Sequence, residues 1–136
     1  MVQVNYLAVL ASAVMAFVVG GLWYSPVLFG NAYMSLRGLD PTAAKAMTLS
    51  VGEMVAEFAR WLVIGFVLAR LMTLLGIANL STALTFGLWM WLAIYAALAG
   101  SVLHESTPWR LYAIHVGDGL VKILLMTAIL GLWRPR

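Results

Sequence analysis

Cysteine is absent from this 136-residue chain. That absence excludes a disulfide framework, thiol catalysis and cysteine-based metal sites. Charge is scarce as well. Asp, Glu, Lys and Arg make up 10% of the residues, where an ordinary soluble domain carries roughly 25%. A water-soluble protein of this size could not cover its surface with so few charges. Lys and Arg number 8 against 5 Asp and Glu, a net charge of +3. They form no basic run, so nucleic-acid binding has little support and no nucleic-acid partner is expected. No Lys or Arg precedes Arg37, so the opening apolar run lacks the basic leader of a signal peptide. It reaches Tyr24, long enough to span, and is read as a retained helix. HExxH, P-loop and GxSxG patterns are also missing. No cofactor and no metal site are expected.

What is present is apolar: 64% of the residues are hydrophobic and the mean hydropathy is +0.99. The expected fold class is all-α, an integral membrane bundle of four transmembrane helices forming a single domain over residues 1–136. A spanning helix needs about 20 mainly apolar residues. The first is predicted from about Asn5 to Tyr24, with Pro26 marking its exit. A short interfacial helix is predicted at 31–36. Asp40-Pro41 offers a cap and a first-turn proline, so the second helix is predicted over 41–75, with its membrane part at 51–75. The third runs over about 81–103, capped by Asn79 or Ser81. The fourth runs over about 109–133. Trp23, Trp109 and Trp133 fall at predicted ends, where an aromatic belt sits.

Small residues recur four apart at Ala8, Ser12, Ala16 and Gly20, and again at Ala93, Ala97 and Ser101. Such ridges allow close helix contact in lipid. With so thin a bundle, they point to a homo-oligomer. Four spans put both termini on one side. Arg70, Arg134 and Arg136 lie near that side, and Arg37, Lys45 and Arg110 near the other. The count is balanced, and the short uncharged leader tips the expectation to cytoplasmic termini.

The charges inside the membrane carry the functional question. Glu53, Glu57 and Arg60 share one helix face, and His115, Asp118 and Lys122 share another. Unpaired, such charges cost a few kcal/mol or more each. Glu57 and His115 lie about 9 Å inside their predicted helix starts, and Arg60 and Asp118 about 14 Å. The matched depths predict an Arg60–Asp118 ion pair and a Glu57–His115 contact. Lys122 would reach back one turn to Asp118, and Tyr95 approaches the same level. This cluster reads as a structural network, as a path for protons, ions or a small solute, or as an enzyme site on a lipid or apolar substrate. The path is the leading reading. Glu53 could be wet near the interface, and Arg70 can snorkel. The Met residues suit packing, and His104-Glu105 suits a solvated turn.

Asn5-Tyr-Leu-Ala-Val-Leu, Gly20-Gly-Leu-Trp-Tyr-Ser-Pro26, Leu28-Phe-Gly30 and Ile129-Leu-Gly-Leu-Trp133 together resemble a family of small bacterial membrane proteins, the domain of unknown function 1761 family. The resemblance covers nearly the whole chain. It implies a four-helix inner-membrane protein with the second helix as a span, and it transfers no activity. In physical terms, Gly20 and Gly21 permit close helix contact and Pro26 ends the helix. Trp23, Tyr24 and Phe29 would line the mouth of the polar cluster.

Overall fold

A computed structural model describes residues 3–38 and 50–133, and it is all-α over them. Helix α1 (Tyr6–Trp23) opens on Asn5, whose side chain accepts from the amides of Leu7 and Ala8. That satisfies two of the donors a helix start leaves over. After a turn at Ser25-Pro26, α2 (Gly30–Leu36) occupies the place of the short helix expected there.

Helix α3 (Val51–Leu74) begins on extended Ser50. The Ser50 hydroxyl takes the Glu53 amide at 3.1 Å and donates to the Glu53 carboxylate at 3.1 Å, a reciprocal cap. The expected run of helix from Asp40-Pro41 through to 75 is therefore interrupted at Ser50. Asp40-Pro41 itself lies outside the described residues. A turn at Gly76, with φ +68°, leads to Asn79, which caps α4 (Leu80–Leu98). The expected third helix is broken at Ala99, where the backbone restarts as α5 (Gly100–His104). Helix α6 (Trp109–Leu132) follows Pro108.

Among the described residues, three stretches are long and apolar enough to cross a membrane: Tyr6–Trp23, Leu80–His104 and Trp109–Leu132. Among the long helices, α1, α3 and α4 all touch α6. The long helices run antiparallel in sequence. Asn5 donates to the Trp133 carbonyl at one end of the α1–α6 pair, and Trp23 donates to the Ile114 carbonyl at the other. The rings of Tyr6 and Phe66, and of Phe17 and Phe58, meet across α1 and α3.

At the end near the termini, small residues let the helices close on one another. A Cβ on Gly65 would lie 3.0 Å from the Ser12 hydroxyl, one on Gly87 would lie 2.6 Å from that of Thr127, and one on Gly131 would lie 2.7 Å from Ala83. Ala8, Ser12 and Ala16 are fully buried. The small-residue ridge of the first helix thus belongs to the interior and offers no outer contact surface. On α4, which leans on α6, Ala93 and Ala97 stay exposed.

Candidate functional site

At the opposite end the helices part around a cavity of about 750 Å³. Each long helix contributes to its wall: Phe17 and Gly20 from α1, Glu57 and Arg60 from α3, Tyr95 from α4, His115 and Asp118 from α6. Tyr24, Tyr33 and Arg37 close one side, with Glu53 and Tyr112 also bordering the space. Asp118 lies nine residues along α6 from Trp109, a depth of about 14 Å, or about half of a hydrocarbon core. Beyond it the bundle is packed with buried Ile123, Met126 and Thr127.

The floor is an ion pair within α6. Lys122 Nζ donates to Asp118 Oδ2 at 2.9 Å. Both side chains are nearly sealed, with Lys122 at 1% and Asp118 at 4% exposure. Lys122 lies under the cavity lining, with its ammonium 4.5 Å from the centre of the Trp61 ring. Gly20 faces it, where a Cβ would stand 2.9 Å from Nζ. Asp118 Oδ1 is buried and, among the described residues, meets no donor.

The second ion pair lies within α3. Arg60 donates to Glu57 Oε1 at 2.7 Å, and Trp61 Nε1 donates to the same oxygen at 3.0 Å. Arg60 also lies over the Trp61 ring. The expected Arg60–Asp118 bridge therefore does not form. Each carboxylate takes a cation three or four residues along its own helix, where the backbone already holds both partners on one face. The Glu57–His115 contact is replaced too, since His115 Nδ1 and the Tyr24 hydroxyl share a hydrogen bond of 2.6 Å. Tyr24 lies just beyond α1, and burial raises its hydroxyl pKa further above the usual phenol range. The tautomer of the His115 ring sets which of the two groups donates in this bond.

Of the aromatic residues expected at a mouth, Tyr24 borders the cavity. Trp23 and Phe29 are absent from its described lining and pack on each other with tilted rings, their centres 4.7 Å apart. Trp23 also packs against Gly117, where a Cβ would stand 2.8 Å from its ring, and it holds the Ile114 carbonyl at 3.0 Å. Trp23 thus fastens α1 to α6. Tyr95 does reach the cluster. Its hydroxyl and ring press so closely on Gly119 that any Cβ there would overlap them, and Tyr112 donates to the Tyr95 carbonyl.

Tyr33, Arg37 and Tyr112 were missed by sequence reasoning. Tyr112 stands three residues before His115 on the same face, a spacing that carried the signal. Tyr33 and Arg37 lie four apart along and just past α2; Arg37 donates to the Tyr33 hydroxyl at 3.0 Å and covers its ring. The rings of Tyr24, Tyr33 and His115 then meet in a cluster. Among the described residues, no three His, Asp or Glu side chains converge to hold a metal ion. The arrangement can bind a polar solute against aromatic walls and can hold protons along a descending series of titratable groups.

No curated protein and no solved structure matches the chain. The family described as "Protein of unknown function (DUF1761)" matches residues 7–131, a stretch that contains every residue of the cavity wall named above and both ion pairs. With a match of that extent, the chain belongs to this family.

Proposed function

We propose that the protein is a four-span transporter for a proton, an ion or a small solute, with the cavity as its access half and the Asp118–Lys122 pair as the barrier. One observation carries the reading: a cavity with polar side chains in its wall reaches about half of a membrane's depth and ends on a buried carboxylate, one oxygen of which meets no donor among the described residues. Helix α3 supplies the fourth span. Its 24 residues extend about 36 Å, and Glu53, Glu57 and Arg60 border the cavity, so polar residues that lower its hydropathy have an aqueous face. In a bacterial inner membrane with cytoplasmic termini, the cavity would open to the outer side. A second copy would sit on the exposed Ala93–Ala97 face of α4, and native mass spectrometry from mild detergent reads that directly. A clean monomer would end that part of the proposal.

The competing reading is a purely structural charge network. Buried ion pairs fix helix association by joining helices. Both pairs here lie within single helices, so neither bridge ties two spans together. That weakens the structural account.

The lack of cysteine makes the test clean. Single-cysteine variants at Glu53, Tyr95 and Thr107, which all border the cavity, are expected to react with a membrane-impermeant thiol reagent from one side of the membrane only. A cysteine at Ile123, below the floor, is expected to be protected from both. Flux in proteoliposomes under a pH gradient and potential should exceed that of empty liposomes and should fall to background in Glu57→Gln, His115→Ala and Asp118→Asn. Protected cavity positions would refute the access reading. Labelled positions without proton flux would exclude proton conduction and leave the solute.

A further inference from the structure

The floor of the cavity has an unequal supply of donors and acceptors. A carboxylate accepts several hydrogen bonds, and a buried one left short is unfavourable. Asp118 borders the cavity, is 4% exposed, and receives Lys122 on Oδ2. Among the described residues nothing donates to Oδ1. An occupant that settles here must bring a donor.

The cationic side chains nearby are already engaged. Lys122 lies between Asp118 and the Trp61 ring. Arg60 holds Glu57 and covers Trp61. Arg37 holds Tyr33. A carboxylate or phosphate would therefore find no unengaged cation at the floor. The walls add a second preference. Phe17, Tyr24, Tyr95 and Tyr112 border the space, and aromatic faces attract cations. A hydrogen bond between a charged donor and a carboxylate is also stronger than one from a neutral hydroxyl. The volume of about 750 Å³ admits an organic molecule of ordinary ligand size.

We infer that the cavity binds a small organic ammonium ion, with an N–H group on Asp118 Oδ1 and its carbon body against Phe17, Tyr24 and Tyr95. This rests on the reading of the cavity as a solute's access path, and it names the solute's class.

The test uses the detergent-solubilised full chain at neutral pH and three probes of nearly one shape: benzylammonium, benzyl alcohol and benzoate. Binding is followed by saturation-transfer NMR and titration. Benzylammonium is expected to bind saturably, benzyl alcohol about tenfold or more weakly, and benzoate not at all. Asp118→Asn is expected to weaken benzylammonium binding to the level of the alcohol. If that variant fails to fold, Asp118→Asn with Lys122→Met removes the stranded lysine charge and serves instead. Benzoate binding as tight as benzylammonium, an unchanged affinity in a folded Asp118 variant, or no saturable ammonium binding would each overturn the inference. The thiol labelling separates the two levels. A labelled cavity that ignores benzylammonium overturns this inference alone, whereas an unlabelled cavity overturns the access path as well.

Discussion

Lys122 offers the sharpest perturbation, because its burial is nearly complete and, among the described residues, Asp118 is its one ion-pair partner. Changing Lys122→Met keeps a long flexible side chain in the same space but strips Asp118 Oδ2 of its 2.9 Å donor. Breaking a buried pair from one side costs about 3–5 kcal/mol. The value should fall near the lower end, since Asp118 borders the cavity. Asp118→Asn strands an ammonium that is 1% exposed. The Trp61 ring, 4.5 Å away, offsets about 2 kcal/mol of that cost at most, so a loss of at least about 1–3 kcal/mol remains. The double variant buries neither charge and should lie within about 1 kcal/mol of the wild type, or above it. The coupling between the two positions is then about 3 kcal/mol or more, at or above the upper end found for residues in contact. Unfolding in mixed micelles with SDS, followed by tryptophan fluorescence, measures all four corners. Trp61 supplies a reporter beside the pair. Additive losses, or a harmless Lys122→Met, would refute the claim that this pair is a sealed unit.

Gly119→Ala should destabilise the bundle by about 1–3 kcal/mol by driving Tyr95 aside, and pairing it with Tyr95→Ala should recover most of the loss in the same unfolding assay. 15N NMR of histidine-labelled protein reads the tautomer of His115 at neutral pH. Tyr24→Phe should shift the Nδ1 signal and lower stability by about 0.5–1.5 kcal/mol, while an unchanged spectrum would remove the Tyr24–His115 bond. Trp23→Phe should cost about 1 kcal/mol through loss of the bond to the Ile114 carbonyl, with thiol labelling of the cavity unchanged.

Local spacing made much of this site legible. Glu57 and Arg60 are three apart and Asp118 and Lys122 four apart, which is enough to place each pair on one helix face. Depth arithmetic matched Glu57 with His115 and Arg60 with Asp118, and these four border one cavity. The pairing was less accessible. A cation one turn away on the same helix competes with one on a neighbouring helix, and the intervening distance depends on how the helices splay. The splay is set by contacts such as Gly65 on Ser12 and Gly87 on Thr127, which hydropathy does not register. Tyr24 as the partner of His115 was hidden for the same reason, as the two are 91 residues apart. The break at Ala99 had only Gly100 to announce it, in an otherwise unbroken apolar run.

The central position of α6 also dictates an order of assembly. Helices α1 and α3 contact each other directly, so they can pair as soon as both have been made. Helix α4 has its extended contact with α6, which follows it in sequence. During synthesis, α4 must therefore wait in the bilayer with its inner face covered by lipid. A ribosome halted before Asp118 would leave the α1–α3 hairpin joined, α4 adrift and the cavity without its floor.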